Sequence, residues 1–110
     1  MLQELLVELL RRADNEKSVA VVSLADGVQM LAYPMDAGML VGVGLEGEAA
    51  ARLDPARVLH RRASDMARFG SWLPAQLKDG AWYVLRRLPL YPAGGTLDER
   101  ELEAAAELLA

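Results

Sequence analysis

Apolar residues recur at helical spacing over residues 1–13. Leu2, Leu5, Leu6, Leu9, Leu10 and Ala13 form one stripe, and Gln3, Glu4, Glu8, Arg11 and Arg12 supply the polar remainder. The acids precede the arginines, as a helix dipole favours, and Asp14-Asn15-Glu16 closes the segment. The period then changes. Residues 18–24 are rich in valine and predict a strand. Ala25-Asp26-Gly27 predicts a tight turn. Residues 28–33 return as a second strand, stopped at Pro34 for want of an amide hydrogen. After Asp36-Ala37-Gly38, residues 39–45 make a third strand. Links this short imply an antiparallel meander.

A polar, alanine-rich link over residues 46–54 leads to Asp54-Pro55, an N-cap followed by proline at the first helical position. The helix it predicts runs to Phe69, with Gly70 where a C-terminal cap falls. Leu59, Ala63, Met66 and Ala67 are its apolar positions, flanked by Val58 and Phe69, while Arg57, His60, Arg61 and Arg68 take the other side. Residues 72–77 read as a weak strand containing Pro74, at an edge or in an irregular stretch, Lys78-Asp79-Gly80 as a hairpin turn, and residues 81–88 as a strong strand. After a loop over residues 89–95, a last helix opens at Asp98. Asp98 and Glu101 have capping-box spacing, and Leu97 and Leu102 that of a hydrophobic staple. The order α-β-β-β-α-β-β-α predicts one α+β domain over residues 1–110, a mostly antiparallel twisted sheet with helices packed on it.

The strands are apolar on both sides. Val19 and Val21 oppose Ala20, Val22 and Leu24; Val28, Met30 and Ala32 oppose Leu31 and Tyr33; Met39, Val41, Val43 and Leu45 oppose Leu40. A sheet with one wet face alternates apolar and polar residues. Three short helices cover one face well and two poorly, so apolar surface is expected to remain for a partner, the alternative being that the middle helix crosses to the second face. Gly42 and Gly44 fall on one side of the third strand, where the first helix is expected to approach closely, with a peptide groove as the alternative.

Composition narrows the chemistry. The chain has no cysteine and a single histidine, His60, which excludes disulfides, thiolate metal sites, cysteine nucleophiles and a multi-histidine metal site within one chain. Ser23, Ser64 and Ser71 lie in no nucleophile motif. His60 with Asp65 is the one enzyme-like pair, and catalysis is not expected. A net charge of −4 argues against nucleic acid, despite Arg57, Arg61, Arg62 and Arg68. The charge is also arranged in blocks: residues 1–51 carry eight acids and three bases, residues 52–87 three acids and eight bases, and residues 88–110 five acids and one base. A basic middle between acidic ends suits self-association or a partner of mixed charge, with the arginines solvated or paired across a dimer. No signal pattern and no membrane-length apolar run is legible, so the expectation is a cytosolic protein without membrane insertion. Phe69 and Trp72 are large anchors, expected near a subunit contact.

The second half reads ARVLHRRASDMARFGSWLPAQLKDGAWYVLRRLPL and then LDERELEAAAELL. With this element order, in a small, acidic, cysteine-free chain, it resembles the class I chaperones of bacterial type III secretion, the Tir-chaperone-like family. The likeness rests on the run Leu85-Arg86-Arg87-Leu88-Pro89-Leu90 ending the hairpin's second strand, and on Leu97-Asp98 through Leu102 opening the last helix. The first half agrees in element order and in the Asp26-Gly27 turn. The resemblance implies binding without catalysis and without a cofactor. It implies a homodimer, or a heterodimer with a related chaperone, joined through Leu59, Ala63, Met66, Phe69 and Trp72. The implied client is the N-terminal segment of a secreted effector or gatekeeper protein, held in extended form partly by strand addition. It would contact Leu5, Leu9, Val28, Met30, Leu31 and Met39, and be kept secretion-competent in the bacterial cytoplasm as part of virulence. The competing reading is a roadblock- or profilin-like dimeric adaptor for a small GTPase, which has two strands before its long helix and three after.

Overall fold

In the computed structural model, which describes residues 1–110, the leucine stripe becomes helix α1 (Leu2–Glu16), burying Leu6, Leu9, Leu10 and Ala13. It runs three residues past its expected end. Lys17 closes it in the left-handed region, at φ 53°, and its ammonium reaches back to Asp14 at 3.3 Å. Strands β1 (Ala20–Ser23), β2 (Val28–Met35) and β3 (Gly38–Leu45) follow, then, after the middle helices, β4 (Leu73–Gln76) and β5 (Trp82–Leu88). All pair antiparallel in the order β1-β2-β3-β5-β4.

The turns obey local chemistry. Asp26 and Gly27 both take positive φ, 62° and 78°, as the tight hairpin turn favoured by Asp-Gly requires. Gly38, at φ +105°, sits where a Cβ would stand 2.2 Å from the Leu88 carbonyl oxygen. Pro34 does not end β2. It pairs with Met39 beyond the last residue that β1 covers, so its missing N–H costs no ladder bond. Pro74 is tolerated in β4 because that strand is the sheet's edge.

One face of the sheet carries Ala20, Met30, Ala32, Met39, Val41, Val43 and Val84, all buried. Helix α1 packs on β1 and β2, and α5 (Glu99–Leu109) packs on β3 and against α1. The capping box of α5 is formed: Asp98 accepts from the Glu101 N–H at 2.9 Å, and the Glu101 carboxylate accepts from the Asp98 N–H at 3.3 Å. Leu97 and Leu102 are both buried beneath it.

The middle of the chain departs from expectation. The link contains a short helix, α2 (Gly47–Ala51), folded onto the Ala25–Gly27 turn. The long helix is two, α3 (Pro55–Ser64) and α4 (Met66–Phe69). Asp65 divides them by leaving helical geometry and accepting the Arg68 N–H on its carboxylate, so it caps a new helix instead of continuing the old one. Both pieces pack on α5.

The charge blocks resolve within one chain. Arg61 donates to the carbonyls of Glu107 and Ala110, and Arg57 to that of Ala110, closing the C-terminal end of α5. Arg68 pairs with Glu107, and Arg86 with Glu101 at 2.7 Å. Arg62 donates to the carbonyls of Gly70 and Trp72, both at 2.8 Å. Of the arginines read as solvated, or as paired across a dimer, Arg57, Arg61 and Arg68 make exposed contacts that join the middle helices to α5 within the chain, and Arg62 ties α3 to the residues after α4.

Phe69 and Trp72 require a second correction. They are 4% and 0% exposed and belong to the core, with Arg68 and Arg86 guanidinium groups over their rings. Both rings join the main apolar cluster, since α4 packs against α5 and turns Phe69 inward while Met66 stays exposed.

The start of α1 is held from the far end of the chain. The Glu99 carboxylate accepts from the backbone N–H groups of Gln3 at 2.9 Å and Leu2 at 3.1 Å, and from the Met1 ammonium at 2.9 Å. These contacts, the Gln3 N–H first, lower its pKa from the ordinary 4.5 to about 2. A carboxylate with a lowered folded pKa stabilises the fold above its unfolded value and ceases to as pH falls through the folded one. Thermal melts of wild type and Glu99→Gln should therefore differ at neutral pH, with the variant less stable. The gap should close as pH drops from about 4.5 towards about 2.

Candidate binding face

The register places the other set of strand side chains on a face that carries no helix. Val21, Leu31, Gly42, Leu85 and Leu73 stand in one row across all five strands. Tyr33, Leu40 and Arg87 form a second row across the central three. Ser23, Gln29, Gly44, Tyr83 and Ala75 form a third. Leu73 is 59% exposed and Tyr33 52%, with Val21 and Met35 also open to solvent. Between β5 and the β4 edge the face dips into a shallow groove of about 700 Å³ whose lining includes Leu40, Leu73, Pro74, Leu85 and both Arg86 and Arg87.

Gly42 and Gly44 lie on this open face, not under α1 as expected. The reason is parity: the odd-numbered Met39, Val41 and Val43 point at the helices, so the glycines point away. What fills the space is Tyr83. Its ring crosses Gly44, with Cδ2 2.4 Å from where a Cβ would stand, and its hydroxyl donates to Gln29 Oε1 at 2.7 Å, two strands away. Leu31 and Leu85 lean over Gly42 in the same way. The glycines therefore let large side chains lie flat and give a broad, smooth apolar surface. Burial pushes the Tyr83 phenol above its ordinary pKa, with Glu46 and Asp79 adding to the shift, so it stays a neutral donor.

The residues named for client contact are not brought together. Leu31 is on the open face, and Leu5 is exposed on the outer side of α1. Val28 is partly buried against the core, and Leu9, Met30 and Met39 are core residues, no more than 2% exposed. Alternation explains the split, since Met30 and Leu31 are adjacent and must face opposite ways. A client reaches Leu9, Met30 or Met39 only by opening the core, so these three pack the fold. The face's own Tyr33, Leu40, Leu73 and Leu85 were missed; their two-sided apolar pattern was the signal, and only the register orders them.

Of the residues named for a subunit contact, Leu59, Ala63 and Met66 are exposed, Leu59 at 56% and Met66 at 51%. His60 is exposed beside them, and Asp65 is occupied in capping α4. No helix is long and apolar enough to cross a membrane.

Searches of family models, of curated proteins and of solved structures find no match to this chain.

The fit of Tyr83 over Gly44 can be measured. Gly44→Ala should destabilise the protein by about 1–3 kcal/mol, because a rigid ring must shift. In a Tyr83→Ala background the same substitution should cost less than about 1 kcal/mol by urea unfolding. Equal costs in both backgrounds would place the strain elsewhere.

Proposed function

We propose that this chain is a non-catalytic chaperone of the secretion type. In this reading it holds the N-terminal segment of a type III secreted effector or gatekeeper in the bacterial cytosol, as a homodimer or paired with a related subunit. The observation that carries the reading is the helix-free apolar face, with Val21, Leu31, Leu85 and Leu73 in one row across five strands. Ordering one residue of an extended client costs about 1–2 kcal/mol of chain entropy. At ~25 cal/mol per Å² that cost is offset by burying roughly 40–80 Å² of apolar surface per residue. Such a client needs a wide apolar platform more than a deep pocket, and a platform is what the fold leaves open.

Element order lends further support. Three strands precede the middle helices and two follow, the arrangement of the secretion chaperones that the second half of the chain resembles. The adaptor reading expects two and then three. The exposed Leu59, Ala63 and Met66 supply an apolar stripe for a second subunit, apart from the sheet rows. No cofactor or nucleic acid enters this reading, because holding a chain requires only burial of its side chains.

Two measurements test it. Light scattering should give a mass near twice 12.0 kDa, and Met66→Glu should halve it, since an unpaired charge in an apolar contact is costly. An unchanged elution volume would remove α4 from the contact. Co-expression with N-terminal segments of secreted proteins encoded nearby should yield a co-purifying complex. Recovery of the chain alone from every such pairing would overturn the chaperone reading.

A further inference from the structure

Arg86 and Arg87 are neighbours with opposite surroundings. Arg86 lies on the helix side, over Trp72 and paired with Glu101. Arg87 lies on the open face, exposed, beside Leu40 in the ladder and at the wall of the groove lined by Leu73 and Leu85. No ion pair forms on it. It is also the only formal charge among the strand residues that the register assigns to that face.

Arg86 also lines the groove but is already paired with Glu101, so the unpaired Arg87 selects among occupants. A second copy laid face to face would bring Arg87 into a dry contact whose strand residues include no carboxylate, leaving a buried unpaired charge. A different polypeptide with an acidic residue among apolar ones meets both the charge and the leucine rows, and a guanidinium takes a carboxylate in a two-pronged bond. The sheet's edges restrict the mode of contact. The outward carbonyl of Val21 on β1 already accepts from Arg12 at 2.9 Å, and β4 presents Pro74, which has no N–H to offer.

We propose that the open face binds, through side chains and not by strand addition at an edge, an extended segment of another polypeptide in which apolar residues flank an acidic one, its carboxylate seated on Arg87. This deepens, and rests on, the protein-binding reading above.

The test uses the purified full chain as bait for a random peptide display library. Wild type should enrich peptides with a glutamate or aspartate between apolar residues. Arg87→Glu should melt like wild type, because Arg87 has no ion-pair partner to lose, and should enrich peptides with lysine or arginine in that place. Peptides selected on wild type should bind Arg87→Glu at least ~10-fold more weakly. The same uncharged peptides recovered on both proteins would overturn the role of Arg87 and leave the protein-binding reading standing. A dimer that Leu85→Glu dissociates, and Met66→Glu does not, would assign the face to a second copy and overturn the proposal. If wild type enriches nothing beyond what Leu85→Glu enriches, both the proposal and the protein-binding reading fall.

Discussion

The packing of α1 and α5 onto the face bearing Met30, Val41 and Val84 is the contact on which the other features depend. Side chains in a strand alternate strictly, so burying one set under helices commits the other set to the opposite side. In most half-exposed sheets that other set is polar. Here it is largely leucine, valine, tyrosine and glycine, and the helices are already in use. The middle helices do not cross over to shield it: Val58 and Phe69 are buried in the core on the covered side, where Arg57, Arg61 and Arg68 also contact α5. An acidic chain with a basic middle thus uses part of its charge pattern within its own fold, while an apolar excess stays on the surface.

That division bears on how the open face is built. Bulky residues at every position would make a rough sheet. Gly42 and Gly44 lower the centre of the surface, and Leu31, Leu85 and Tyr83 spread over the space they leave. Tyr83 also ties β5 to β2 through Gln29, across the strand between them. The centre of the face is therefore filled by side chains lying over the glycines and is tied across three strands by one hydrogen bond.

Features governed by neighbouring residues were legible in the sequence. The Asp26-Gly27 turn, the Asp54-Pro55 helix start and the Asp98 capping box each depend on contacts within four residues, and each stands where its local pattern put it. Antiparallel order followed from short links. Features governed by distant residues were not legible. Asp65 is an unremarkable helix residue until its carboxylate finds the Arg68 N–H. Phe69 and Trp72 look alike as core or as contact residues until α5 covers them. For the site, the excess of apolar surface was readable, but its membership was not. Choosing Met30 and Leu31 together ignored the one rule that separates them, and Leu73 and Leu85 join the row only through pairing across the sheet.

The hold that Glu99 has on the first turn of α1 spans almost the whole chain. During synthesis α1 leaves the ribosome long before α5 exists, so its leading turn waits without its cap, and the buried side of the sheet waits without half its cover. Contacts this distant in sequence form late and slow the approach to the native state. The nascent molecule passes through an interval in which one side of the β-layer is open and the other is covered by α1 alone. Until α5 emerges to cover β3, the growing chain therefore shows more apolar surface than the finished fold does.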